Sequence, residues 1–550
     1  MEAPHPPDTE TDHDTAAHAD VEETKTDEDS HMRRDWKFWS IIASLAISQL
    51  LTAIEFSAVS IALPVITEDL KGNNYIWIGS AYNLASTALL PFCGGLAQIF
   101  GRRSVMLAAI AIFMIGSALC GAANNMNFLV AGRTVQGLGA GAVVSLIQII
   151  ISDLVPLQAR GGFTGIMSMA FGIGAGSGPV IGGALAERGH WRWLFYMNLP
   201  IGGFCAVLIA LFVHLKTPKA PLREKLQRLD IIGNALIVAS TTSMVIALTW
   251  GGSVFPWSSP KVIAPLVVGI AGFGAFLVYE AFVPLYPIIP VSLMATRTAF
   301  SGYVQTLLNG IVLSAIGYWL PLYFQACKSA SPIAAGVNGL AMTFSIAPMA
   351  GIGGVLVNKT SRYRPLMWCG WALIVLGAGL LGMVDENTKR ATPIGYELLL
   401  GSGMGLITVG AYFPVLAPIP VTQSTQALSF LFFLRQFALI WGVTIGGTII
   451  QNRLGSYLPS DFLASLPGGT EAVFSIIPSI QGLQPELRAE VKSAFARAFQ
   501  LVWHVLAAIG GAGLLVSGLM KALPLHTQVD KAWGREDAVK EKEKENAGAA

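Results

Sequence analysis

Stretches of about 20 almost uninterrupted apolar residues, separated by short polar turns, recur along the chain from residue 39 to residue 521. At ~1.5 Å of helical rise per residue, each is long enough to cross a ~30 Å hydrocarbon layer. They fall at 39–64, 75–97, 104–124, 128–150, 162–185, 194–214, 230–250, 261–283, 299–321, 335–357, 365–384, 394–417, 426–450 and 498–521. The pattern predicts an all-α polytopic membrane protein with fourteen transmembrane helices. One outer connection, 451–497, is far longer than the rest and carries an amphipathic stretch around 485–497. The boundaries are softest at the proline-rich 284-PLYPIIP-290.

Basic residues flanking the stretches give an orientation, because cytoplasmic loops are enriched in Lys and Arg. With the N-terminus inside, the inner flanks hold sixteen, among them Arg102, Arg103, Arg160, Arg297, Lys359, Arg362, Arg364 and Lys521. The short outer loops hold seven. Dropping an early span would scramble this bias, so both termini are expected in the cytoplasm. The sequon 358-NKT-360 then faces inward and is a chance match.

Composition agrees with the pattern. The chain of 550 residues is 53% hydrophobic and 12% charged, with mean hydropathy +0.58 and 59 glycines. Such a chain cannot bury its apolar surface in one water-facing globule, which excludes a soluble enzyme. The net charge of +2 conceals a partition. Residues 1–35 hold twelve acidic groups against three basic ones, and 530–550 hold six against five, so the membrane region is strongly positive. The proline-bearing acidic start, which lacks the basic and apolar segments of a signal peptide, is expected to be disordered. The run 540-KEKEKE-545 reads as a solvated charge tract. Cys93, Cys120, Cys205, Cys327 and Cys369 form neither a disulfide framework nor a metal-binding pair.

The loop 94-GGLAQIFGRRSVML-107 has a relative at 353-GGVLVNKTSRYRPLM-367: paired glycines, an apolar stretch, then a basic cluster opening the next span. The segment 128-FLVAGRTVQGLGAG-141 likewise matches 397-ELLLGSGMGLITVG-410 in its small-residue stripe. Repeated halves around a cavity are how many secondary transporters are built. The expected organisation is a cytoplasmic tail at 1–37, a six-helix bundle at 38–215, and a linker with two inserted helices at 216–298. A second six-helix bundle follows at 299–521, and a charged tail at 522–550.

Charges within apolar spans are expensive, so each is a candidate for function. Glu55 in span 1 lies ~13 Å below the outer face and Arg133 in span 4 ~8 Å below it, close enough to meet. The pair is either a titratable proton-coupling site or a permanent ion pair that fixes helix packing. Arg435, near mid-membrane in span 13, either binds an anionic or carbonyl group or holds a backbone carbonyl. Polar cavity candidates are Gln136, Gln148, Gln436 and the pair Gln305 and Asn309, spaced i, i+4. Glu280, Glu397 and His214 stand near span ends, where snorkelling or capping is the expected role. Span 5, 172-GIGAGSGPVIGG-183, combines Pro179 with small residues and suits a bendable gate helix. No glycine run follows a strand and no GxxxxGK[ST] is present, so neither a nucleotide site nor an ATP-driven engine is expected.

These motifs resemble the major facilitator superfamily, specifically its fourteen-span drug:proton antiporter branch in fungal form. The superfamily's interhelical loop pattern is similar to Gly95 through Gly101, Arg102 and Arg103. Its span-4 arginine and glutamine-glycine look like Arg133, Gln136 and Gly137. The antiporter glycine-proline motif looks like Gly178, Pro179, Gly182 and Gly183. The span-1 carboxylate motif looks like Glu55 through 62-ALP-64, and 191-WRWLFYMNLPIG-202 is similar to a further segment of this branch. Two departures stand out: Gln98 occupies the usual loop aspartate, and Glu55 replaces the more familiar aspartate.

The resemblance implies proton-coupled efflux of hydrophobic or amphipathic small molecules by alternating access. Arg102 and Arg103, with their counterparts Arg362 and Arg364, would stabilise one state at the cytoplasmic face. The proton gradient would supply energy without a cofactor or metal. The expected partners are the bilayer, protons and a small-molecule cargo, with no nucleic acid, in a monomer of the plasma membrane or vacuole. Alternatives are transport of basic amino acids or iron chelates and, in another class, a non-transporting membrane receptor.

Overall fold

The computed structural model describes residues 35–70, 75–215, 230–251, 255–284, 291–459, 462, 477 and 480–525. Most of both tails, the linker 216–229, residues 285–290 and most of 460–479 lie outside it, and with them the expected disordered start and the charge tract 540–545. The described residues are helical and contain no strand, only one isolated bridge between Gly251 and Phe255.

Fourteen long helices follow in order. They are α1 (Trp36–Asp69), α2 (Tyr75–Phe100), α3 (Arg102–Gly121), α4 (Met126–Leu154), α5 (Leu157–Glu187), α6 (Trp193–Phe212) and α7 (Ile231–Trp250). There follow α8 (Pro260–Phe282), α9 (Arg297–Lys328), α10 (Pro332–Thr360), α11 (Arg364–Leu381), α12 (Ala391–Leu416), α13 (Ser424–Tyr457) and α14 (Pro485–Ser517). Thirteen are long and apolar enough to span a membrane, and α2 makes fourteen if its two segments, bent by 53° at the break between Leu90 and Phe92, count as one. Pro91 stands at that break and has no backbone N–H to offer, which accounts for the bend. Apolar side chains cover the outer faces, including Val267, Val268 and Ile270 on α8 and Leu515 on α14.

The long connection expected as an outer loop is shorter than predicted. The amphipathic stretch joins the last span as one helix because Pro485 opens the first turn with Glu486, and Val491, Phe495, Ala498 and Phe499 continue one buried face. At the other side α13 runs on to Tyr457. The connection is therefore 458–484 and not 451–497.

α1 to α6 pack among themselves, as do α9 to α14, while α7 and α8 pair with each other and rest against α2 and α13. Lipid provides no hydrophobic drive between helices, so close backbone approach at small residues carries this packing. The approach also reveals the internal register. A Cβ on Gly137 or Gly141 of α4 would strike the carbonyls of Tyr82 and Ser86 in α2, and one on Gly139 would strike Ala109 and Phe113 in α3. In α12, Gly401 and Gly405 face the carbonyls of Met342 and Ile346 in α10, and Gly403 faces Gly370 and Ile374 in α11. The repeat thus aligns Gly137 with Gly401 and Arg133 with Glu397. Pairing 128 with 397 on the small-residue stripe is out of register, because the stripe recurs within each helix and its composition alone does not fix the phase.

Candidate functional site

Asn125 caps α4 by accepting from the Phe128 amide at 2.8 Å, which sets Arg133 two turns into the helix. Arg133 is 2% exposed and Glu55 on α1 is 1% exposed. Arg133 Nη1 donates to Glu55 Oε1 at 2.5 Å and to Gln136 Oε1 at 2.7 Å, while Nε donates to the Ile78 carbonyl at 3.1 Å. The guanidinium also stands 4.3 Å from the centre of the Tyr82 ring. The second carboxylate oxygen of Glu55 accepts from Asn198 Nδ2 at 2.6 Å, and Gln136 Nε2 donates to Ser117 Oγ at 2.7 Å. Gly116 makes this possible, since any side chain there would collide with the Gln136 backbone. α6 is interrupted at Met197, and Asn198 begins its second segment beneath the carboxylate.

Opposite charges therefore meet within a buried cluster drawn from α1, α2, α3, α4 and α6. Each charge compensates the other and most remaining polar atoms are bonded, as a buried pair requires. Sequence reasoning named Glu55, Arg133 and Gln136 but missed Ser117, Tyr82 and Asn198. Asn198 had a signal, being an amide within the apolar segment 194–214.

A second cluster closes the seam between the halves. Arg102 is 1% exposed and donates through Nε to Asp153 Oδ2 at 2.8 Å and through Nη1 to the Ala97 carbonyl at 2.9 Å. Its Nη2 reaches Thr425 Oγ1, on α13 of the other half, at 3.0 Å. Gly101, the residue before α3, has φ 88°, a turn that L side chains rarely adopt. Across the same end, Gln158 Nε2 donates to the Asn358 carbonyl at 3.3 Å and to Ser361 Oγ at 3.1 Å. Gly161 lies backbone to backbone with Gly354, and Gly165 with Gly351, while Gly94 abuts Ser429. The halves are thus sealed at the end that bears Arg102. Arg102→Ala is expected to weaken this seal, since Thr425 loses the guanidinium that reaches it from the other half. Accelerated alkylation of a cysteine placed at Ser429, which abuts Gly94 across the seam, relative to the same probe with Arg102 intact, checks it.

Other expected residues take different places. Arg103 bonds the Ala210 carbonyl within its own half. Gly95 and Gln98 are half-buried, and Gln98 makes no hydrogen bond among the described residues. Arg362 is exposed and Arg364 lies over Trp368 at 4.9 Å, so neither ties the halves as Arg102 does. The reason is geometric: α10 ends in a left-handed turn at Ser361, and the segment presents backbone and Ser361 to Gln158 instead. Gly178 and Gly182 pack on Ser57 and Ala58 of α1, Gly183 is half-buried, and the helix is continuous through Pro179.

Gln148 lines a small cavity between the halves with Ser152, Arg160, Thr164 and Tyr412, and Arg435, half-buried, lies beside the Tyr412 hydroxyl. Gln436 is also half-buried. Gln305 is corrected: it is fully buried, accepts from Trp371 Nε1 at 2.7 Å and donates to Ser301 at 2.8 Å, so it ties α9 to α11 rather than facing a cavity. Asn309 donates to Thr408 at 3.3 Å within the same half. Neither Glu280 nor Glu397 snorkels, being 4% and 0% exposed. Glu280 abuts Gly233 beside Asp230, the residue that caps α7.

At the opposite end Asp69 accepts from Trp191 Nε1 at 3.0 Å and from Arg192 Nη1 at 2.9 Å. These bonds, Trp191 first, hold the Asp69 carboxyl below the usual carboxylate range. Its stabilising contribution is present at neutral pH and disappears as acid titrates the folded carboxyl. Both side chains of the ion pair are more than a third exposed, so Asp69→Asn is expected to cost at most about 1 kcal/mol. Melting curves of both proteins, separated at neutral pH and converging in acid, check this.

No group of His, Cys, Asp and Glu among the described residues is arranged to hold a metal ion. Residues 45–443 match the family model described as Major Facilitator Superfamily. The MFS-type transporter ucsD of Acremonium sp is 38% identical, over 92% of this chain and 87% of its own length. Efflux pump FUS6 of Gibberella moniliformis is 35% identical over 91% of both chains. The acurin A biosynthesis cluster MFS-type transporter of Aspergillus aculeatus is 33% identical over 91% of this chain and 92% of its own. Among solved structures, human organic anion transporter MFSD10 covers 88% of this chain and 100% of its own with TM-score 0.57 at 14% identity, a likeness of fold. The proton:xylose symporter XylE has TM-score 0.56 at 13% identity, covering 89% of this chain and 98% of its own. The chain belongs to the major facilitator superfamily and is an integral membrane transporter, not an enzyme.

Proposed function

We propose that the protein exports hydrophobic or amphipathic organic molecules, of the secondary-metabolite or toxin kind, in exchange for entering protons. The observation that carries this reading is the buried Glu55–Arg133 pair, one titratable group locked to one permanent cation. With Glu55 ionised the cluster is neutral and stable when closed. With Glu55 protonated, Arg133 is left as an uncompensated buried cation, which favours a conformation that admits water or cargo. Protonation and cargo thus select different states of the same bundle, as exchange requires. Export also accords with the relatives named efflux pumps. Both termini would be cytoplasmic, placing the Arg102 seal on the inner side, and the plasma membrane is the natural site for export.

Inside-out vesicles with an acid interior and a pH-quenched dye test the proposal. Proton release on adding lipophilic compounds supports it. Release only with basic amino acids or iron chelates reassigns the cargo, and binding without any flux indicates a receptor.

A further inference from the structure

Glu397 of α12 stands where the repeat register puts Arg133 in α4. Facing Arg133, α2 offers the Ile78 carbonyl and the Tyr82 ring. At the corresponding places α10 offers Asn338 and Met342. In the first half the charge is answered by Glu55. In the second it is not: Glu397 is 0% exposed, and both carboxyl oxygens are buried without a hydrogen-bond partner among the described residues. The amide nitrogen of Asn338, one turn from Met342 on the facing helix, is also buried and unpartnered. α9 packs on α13 as α1 packs on α5, and along its middle turns it carries buried Val312, Ala315 and Ile316 with no acid or base.

The charged groups of the surrounding elements are engaged elsewhere. Arg390, just before α12, bonds the Ala334 carbonyl at 3.3 Å and Asn338 Oδ1 at 3.0 Å. Lys328, at the end of α9, is held by the carbonyls of Asp385, Glu386 and Thr388. Lys359 of α10, and Arg364 and Cys369 of α11, stand towards the opposite end of the molecule. Arg160 of α5 is bound to the carbonyls of Val155 and Ser152. An ionised carboxylate without a partner in so apolar a place is far costlier than the neutral acid.

We infer that Glu397 is a second proton carrier, protonated in this conformation, which is sealed at the Arg102 end, and deprotonated when alternation opens that end to water. This rests on the proton-exchange reading above. The first half would then carry its proton at a residue paired with a cation, and the second at a residue with none.

The test uses the full chain in proteoliposomes and one lipophilic fluorescent dye that the intact protein exports. Two quantities are measured: the infrared carbonyl band of protonated carboxyl groups, and the protons moved per dye molecule. In Glu397→Gln the band is expected to disappear and the ratio to fall by a single proton, with Glu397→Asp retaining both at a shifted band position. An unchanged ratio in a coupled Glu397→Gln protein overturns the inference and leaves the proposed function intact. If the unaltered protein moves dye without protons, the proposed function itself fails. Should Glu397→Gln not insert stably, Glu397→Asp still decides: an unshifted band overturns the inference.

Discussion

Glu55→Gln is expected to abolish uphill export while leaving exchange of cargo across the membrane. A one-for-one exchange with protons builds about a tenfold cargo gradient per pH unit, since each unit is worth about 1.4 kcal/mol. A carrier that cannot neutralise Glu55 loses the switch between paired and uncompensated Arg133 that couples either proton to the change of state, and builds none. The substitution keeps the side-chain shape and an oxygen for Asn198, so the fold survives, but Arg133 loses its counter-charge. Removing one partner of a buried pair typically costs about 3–5 kcal/mol, here moderated by the remaining Gln136, Ile78 and Tyr82 contacts. Dye accumulation against a gradient, compared with counterflow at equal pH, separates the outcomes. Retained accumulation would mean that the pair only fixes helix packing.

Gly354→Val is expected to open the seal between the halves. The added carbon atoms would enter the space occupied by the Gly161 backbone, which cannot rotate away as a flexible side chain can. Overpacking of this kind costs about 1–3 kcal/mol, and only the sealed state bears it, because the two helices separate in the other. The population of the sealed state relative to the open one then falls by roughly 5- to 150-fold. Spin labels on the α5 and α10 ends beside the seal should report a longer distance, and export should slow as the cycle stalls. An unchanged distance would show that the helices slide apart locally without a shift between states.

Much of the architecture is legible in the chain, because bilayer thickness converts apolar run length directly into helices and each run lies on a helix of the structure. Glu55 and Arg133 are legible for the same reason: a charge in a greasy run is conspicuous. Ser117 and Tyr82 are not, since single hydroxyls are common in membrane helices and only the crossing of α2, α3 and α4 gives them a role. Arg102 was legible, yet its acceptor Asp153 lies at the end of a span where an acid looks ordinary. Gln305 misled because a buried amide reads the same whether it meets cargo or Trp371. Glu397 misled through its place near a span end, and only the glycine register reveals its relation to Arg133.

The inserted pair has an asymmetric consequence. The two halves meet along two flanks, α2 against α13 and α5 against α10. α7 lies on both α2 and α13, and Phe273 of α8 stacks on Phe433 of α13 with ring centres 6.4 Å apart. One flank is therefore roofed by extra helices, while the other shows exposed Phe171, Ile173 and Phe344 at its surface. Among the described residues the first joint is walled off from the acyl chains and the second is left bare, so the two flanks present different surfaces to the bilayer.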